Sequence, residues 1–278
     1  MDINNIYFGT SGVPDNYFKT RYKKNRKNIV DWLLDLGLNA YEHLYTYGVR
    51  GSDEKNQYIK QKINEYNMML SLHSPYYIVL TSDKKETIEN SQKELIKTLD
   101  AAKYFNCKRI VLHPGFTNNS NALASFIKNI KEVINNHEYG KYIVPETMGK
   151  KSQLGSLEDI IAICQETGIK PSIDFGHLHA RDLGCLNNEI DFQNVIIKLE
   201  KELGNESIKN LHCHFYPVAY TDKGEKVHRA VMEDDALPKF IHFASIIKEF
   251  NMKPVLISES HNSQDIGALQ MKDILSKI

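Results

Sequence analysis

The chain lacks the features that would tie it to an oxidising compartment, a membrane or a charged partner. Its four cysteines, Cys107, Cys164, Cys185 and Cys213, show no Cys-x-x-Cys spacing. That argues against a disulfide framework or a thiolate zinc site and for reduced thiols. Lysine plus arginine equals aspartate plus glutamate at 35 each, so no long-range field draws the molecule to nucleic acid, and any basic surface must be local. No apolar run is long enough to span a bilayer, and Met1 to Gly9 is polar without a signal-like segment; a soluble, cytoplasmic protein with no membrane partner is expected. No glycine-rich dinucleotide turn follows the first apolar run, and no convincing Ser-His-Asp or Cys-His arrangement is present.

What the chain does have is regular alternation. Its 278 residues, 41% of them hydrophobic, suffice for one large α/β domain. Short β-branched or aromatic runs recur near 5–8, 39–45, 68–73, 109–113, 142–146, 171–175, 210–215 and 254–259, which makes eight candidate strands. Segments of helical period lie between them, such as Asn28 to Leu36, Thr87 to Phe105, Leu123 to Ile134, Leu157 to Thr167 and Ile190 to Leu203. Glycine follows several of these, at Gly37, Gly168 and Gly204, where a left-handed cap is easily made. No linker divides the chain. Residues 1–278 therefore read as a single (β/α)8 TIM barrel, in which the loops after the strands share one face.

Histidines and carboxylates gather at those strand ends. Seven of the eleven histidines fall in four short clusters: His73; His113; His177 and His179, close behind Asp174; and His212 and His214 through His228. Glu146 and Glu259 follow two other apolar runs in the same way. Singly, His73 or His113 could be a buried ring bonded to a carbonyl, Glu146 and Glu259 could be rim ion pairs, and Asp174 could cap a helix. Together they would crowd imidazoles and acids into one confined mouth unless cations were there, which points to a multinuclear divalent metal site. His212 and His214 share one side of a strand by period two, so either could be the ligand; His214 lies nearer the exit. His137 and His242 fall in expected helices, and His43 and His261 stay undecided.

The segments His73-Ser-Pro-Tyr76, His113-Pro-Gly115, Pro145-Glu146-Thr147, Asp174-Phe-Gly-His177, His214 and Glu259 resemble, in order and spacing, the motifs of the endonuclease IV family. That resemblance covers nearly the whole chain. It implies a TIM-barrel nuclease cleaving DNA 5′ to abasic sites through two to three zinc ions, with manganese as an alternative. His73 and His113 would hold one ion, bridged by Glu146 to a second held by Asp174, His214 and Glu259, with His177 and His228 on a third. Glu146 and Glu259 would be the catalytic carboxylates. One position departs from the pattern: the family's Asp-x-His is Lys226-Val-His228 here, with Glu225 one place further back. A protonated lysine cannot ligate, so either Glu225 substitutes or the third ion is weak or absent.

Substrate contacts are expected from Arg50, standing where the family places a residue that enters the DNA stack, and from Tyr76 and Arg181. Lys150, Lys151, Lys223, Lys226 and Arg229 fall in loops of the same face, and Tyr216 is a further aromatic there. A monomer acting on abasic DNA is the leading expectation. A sugar isomerase or epimerase of the same superfamily would need only Glu146, Asp174, His214 and Glu259, which leaves four histidines surplus. A non-catalytic ligand-binding barrel is the third reading.

Overall fold

A computed structural model describes residues 5–50, 53–117, 120–233 and 235–278. The chain runs β1 (Tyr7–Ser11), α1 (Ile29–Asp35), β2 (Ala40–Leu44), α2 (Asp53–Glu65), β3 (Met69–His73), α3 (Lys85–Phe105), β4 (Ile110–Leu112), α4 (Ala122–Asn136) and β5 (Ile143–Pro145). It continues through α5 (Leu157–Thr167), β6 (Ser172–Asp174), α6 (Phe175–Arg181), α7 (Glu189–Leu203), α8 (Asn205–Lys209) and β7 (His212–Phe215). After β8 (Val218–Thr221) and β9 (Gly224–His228) come α9 (Phe240–Glu249), β10 (Val255–Ser258) and α10 (Gln264–Lys277).

Eight strands pair in parallel in the order β5-β4-β3-β2-β1-β10-β7-β6. The ring closes where Glu146 bridges Ser172 in parallel and the Thr147 N–H donates to the Ser172 carbonyl at 3.2 Å. This is the (β/α)8 barrel expected from the alternation, with every expected strand in place. His137 is a small exception among the helix expectations, since it lies just beyond α4 in extended backbone.

Strand alternation divides the side chains between two environments. Tyr41, Leu70, Leu72, Ile110, Leu112, Ile143, Ile173, Cys213 and Leu256 face outward into the apolar layer under the helices, beside Phe126, Ile160, Phe192 and Phe243. Residues of the other parity line the lumen. Its floor is apolar, with Ala40, Val255 and Ile257 packed against Tyr7 and Met69. Above the floor the same parity brings in Glu42, Ser71, Ser172 and His212, all buried from solvent, and then the strand-end donors, of which His113 and Glu259 are partly exposed.

The antiparallel hairpin β8–β9 lies outside the sequence expectation. Its strands are short, and Tyr220, Thr221, Lys226 and Val227 are exposed, so it carries no apolar run to betray it. It docks on the loop after β5: the Glu225 N–H donates to the Gly149 carbonyl at 2.9 Å, and the Lys151 N–H to that of Lys223 at 3.1 Å. That loop leads into α5, whose start is fixed by a reciprocal Ser156–Asp159 capping box. Ser156→Ala should lower stability by about 1 kcal/mol in urea unfolding; an unchanged midpoint would show that the cap contributes nothing.

Candidate metal centre

The donors form three neighbouring groups around Glu146. In the first, Glu146 Oε2 lies 3.3 Å from His73 Nε2 and 3.2 Å from His113 Nε2. In the second, His214 Nδ1 lies 3.0 Å from the other oxygen, Glu146 Oε1, and 3.6 Å from both Asp174 Oδ2 and Glu259 Oε1. One carboxylate thus faces each group with a different oxygen. In the third group Glu225 stands between two imidazoles, 3.3 Å from His177 Nε2 and 3.4 Å from His228 Nε2. Within the triads His73–His113–Glu146, Asp174–His214–Glu259 and His177–Glu225–His228 the donor atoms lie within 4.8 Å of one another, close enough to share an ion.

Glu225 reaches the third group because β9 is irregular. The β8–β9 register shifts between Ala219 and Tyr220, pairing Ala219 with Val227 but Tyr220 with Glu225. Lys226 is left as the extra residue of a β-bulge, and it is exposed. In a regular strand Lys226 would share a face with His228; the bulge gives that place to Glu225. Gly149 makes room for it, since a Cβ there would stand 2.7 Å from Glu225 Cβ and 2.8 Å from His177 Cδ2.

Main-chain carbonyls fix the tautomers. His73 Nδ1 lies 2.8 Å from the Ser74 carbonyl, His177 Nδ1 2.9 Å from that of Thr147, and His228 Nδ1 3.1 Å from that of Glu259. A carbonyl can only accept, so each Nδ1 carries a proton and each Nε2 presents a lone pair to the centre. Asp174 serves twice. Its Oδ1 accepts the His177 N–H at 2.6 Å and caps α6, while the buried Oδ2 has no hydrogen-bond partner and faces the donors. Glu146 Oε2 is likewise buried without a hydrogen-bond partner. Unpartnered buried oxygens among oriented imidazoles are the donor set a divalent ion fits.

Without an ion, protons have to hold this charge. Burial would lower the pKa of His73, but the Glu146 carboxylate beside it outweighs that and raises it to about 9. His177 and His214 rise well above the usual imidazole value against the same burial, the former beside Asp174 and Glu146, the latter beside Glu42 and Glu146. Glu146 is held well below the usual carboxylate range because His214 and His113 overcome its desolvation. His113 is lowered by burial, and burial raises Asp174.

The remaining expected residues are dispersed. Tyr76 is half exposed at the mouth with its ring stacked on His113, in a pocket of about 390 Å³ that Phe116, Met148, Lys150 and Gln153 also line. Tyr216 is buried and stacks on His228 at 3.9 Å. Arg50 is exposed after β2. Arg181 is tied to the protein itself: its Nη1 donates to the carbonyls of Met148, Lys150 and Gln153 at 3.3, 2.7 and 3.0 Å, fastening the loop after β5. Arg229 pairs with Glu233 and Asp235. His212 lies below the Glu146 groups, its Nε2 2.9 Å from Glu42 Oε2, in a further cluster of Glu42, His212 and His214 whose donor atoms are within 4.8 Å of one another. His43 packs outward on Tyr41 and Tyr45, His179 accepts the Leu186 N–H, and His261 is exposed. Glu42 is absent from the residues expected at the site. A lone acid at a lumen position of β2 was the signal available.

Residues 30–276 match the model of the xylose isomerase-like TIM barrel. The chain belongs to that family. Among its relatives, an uncharacterized protein of Methanocaldococcus jannaschii is 32% identical over 96% of both chains. A probable endonuclease 4 of Aquifex aeolicus is 24% identical over 84% of this chain and 90% of its own. Solved structures share the barrel: endonuclease IV from Thermus thermophilus has a TM-score of 0.73 at 14% identity, covering 98% of this chain and 99% of its own. A D-tagatose 3-epimerase-like protein has a TM-score of 0.71 at 20% identity, covering 98% and 96%. The xylose isomerase-like barrel thus hosts nuclease and epimerase alike, and fold cannot choose between them. Among the described residues no helix is long and apolar enough to cross a membrane.

Two outcomes follow from the site. A histidine whose pKa is raised on folding adds stability below its unfolded value, near 6.5, and loses it as pH climbs through the folded value, about 9 for His73. The thermal midpoint of metal-free protein should therefore fall between pH 6.5 and 9, and saturating zinc should remove that fall; a flat metal-free profile would contradict the assignment. Gly149→Ala should displace Glu225 at a cost of about 1–3 kcal/mol, read in chemical unfolding, and wild-type stability would show that the contact yields freely.

Proposed function

We propose that this chain is a metal-dependent phosphodiesterase that incises DNA at abasic sites, working through two to three divalent ions, with zinc the first choice. The observation that supports this most is the surplus of donors. An isomerase-type site needs only Glu146, Asp174, His214 and Glu259, whereas here Glu146 also faces His73 and His113, and a complete third group stands beside it. Ions held by these residues would supply Lewis acidity toward a phosphodiester and a water of lowered pKa.

The protein's own residues divide the remaining work. Glu146, facing two groups, would set their separation, and Glu259, beside His214 and partly exposed, would orient the attacking water. Tyr76 and Phe116, exposed at the mouth, offer stacking faces for bases or sugar, and Lys150 and Lys151 offer charge to the backbone. No side-chain nucleophile is required.

A second reading, sugar isomerisation or epimerisation, draws on one specific observation. Arg181 and Arg229 are engaged by the protein itself, so the mouth is less basic than its sequence suggests.

Glu146→Gln should abolish incision of an abasic duplex while the far-UV spectrum is retained; near wild-type turnover would remove Glu146 from its bridging place. Incision should also weaken steeply with salt, and Lys150→Ala with Lys151→Ala together should reduce the logarithmic salt slope of kcat/KM by about two, roughly one per phosphate contact. Turnover of a panel of aldoses and ketoses, insensitive to salt and without incision, would establish the isomerase reading instead.

A further inference from the structure

We infer that Glu42, at the lumen face of β2, is a positioning residue that fixes which nitrogen His214 turns toward the metal centre. The inference rests on the metal-centre reading above. His73, His177 and His228 each give Nδ1–H to a main-chain carbonyl and point Nε2 inward. His214 is turned the other way, with Nδ1 inward, 3.0 Å from Glu146 Oε1. Its outward nitrogen, Nε2, lies 2.9 Å from Glu42 Oε1.

Both of those atoms are buried, and neither meets hydrogen-bond geometry with any group among the described residues, their own 2.9 Å contact included. Each is therefore the other's complement, because leaving a buried donor and a buried carboxylate oxygen both unmatched would cost the desolvation of each. A carboxylate can only accept, and each His214 nitrogen faces one, Nδ1 toward Glu146 and Nε2 toward Glu42; an ion bound at Nδ1 would take the lone pair there and leave the single proton on Nε2, where Glu42 receives it. The carboxylate is itself held: Oε2 accepts from Ser71 Oγ at 2.7 Å and lies 2.9 Å from His212 Nε2. Ser71 stands opposite Glu42 in the β2–β3 ladder, and both histidines come from β7. The chain thus supports its one inverted histidine with a carboxylate that spans the lumen, as outer groups commonly orient metal-binding imidazoles.

The test begins with the unaltered protein, loaded with zinc or cadmium and labelled with nitrogen-15 histidine. Long-range proton–nitrogen correlation should show His214, assigned by its loss in His214→Asn, carrying Nε2–H with Nδ1 coordinated, while His73, His177 and His228 carry Nδ1–H. His214 carrying Nδ1–H like the others would overturn the inference, whatever any variant does. Glu42→Gln, with its far-UV spectrum checked, should then weaken zinc by roughly 10–100-fold in chelator competition and mix the His214 tautomers; unchanged affinity with an unchanged tautomer overturns it. Failure of the unaltered protein to take up zinc or cadmium would instead overturn the metal-centre reading itself, and this inference with it.

Discussion

The structure turns on one constraint: carboxylates and imidazoles enclosed in a barrel lumen can be neutralised only by one another, by protons or by cations. Glu146 is the point where this is most severe. It is buried, and four imidazoles from β3, the loop after β4, α6 and β7 come within 3.4 Å of its two oxygens. Eight parallel strands produce this meeting without any two of the donors being contacts in sequence, because alternation sends one side chain in two into the lumen and the strand ends all open on one face. The outward residues build the apolar layer under the helices, so the fold can be stable while its centre is left polar.

Protons and cations compete for the same place. In the metal-free chain His73, His177, His214 and His228 all have raised pKa values, which balances Glu42, Glu146 and Glu225, all held low. A divalent ion would displace those protons and take over their electrostatic work, so binding and pH are necessarily linked. Main-chain carbonyls already set the tautomers of His73, His177 and His228 for that exchange.

Much of this was legible from the chain because strand parity and apolar runs are local signals. All eight barrel strands appear where the short β-branched or aromatic runs place them, and His73, His113, Glu146, Asp174, His177, His214, His228 and Glu259 do converge. The family resemblance supplied an order for them that residue types alone could not. What stayed hidden depended on geometry rather than composition. The bulge at Lys226 follows from how β9 pairs with β8, which no run of residue types announces. Arg181 looks like a mouth cation until the loop after β5 wraps its carbonyls around it. Glu42 and His212 meet across the lumen, 170 positions apart in sequence.

The central claim is that these side chains form one multinuclear centre in which Glu146 is shared. Crystals of the zinc-loaded protein, measured on either side of the zinc absorption edge, test it most directly. The account predicts anomalous peaks within about 2.0–2.2 Å of His73, His113 and Glu146, and of Glu146, Asp174, His214 and Glu259. A third peak should lie at His177, Glu225 and His228. A single peak at the Glu146, Asp174, His214 and Glu259 group, or no peak among them in protein saturated with zinc, would contradict it.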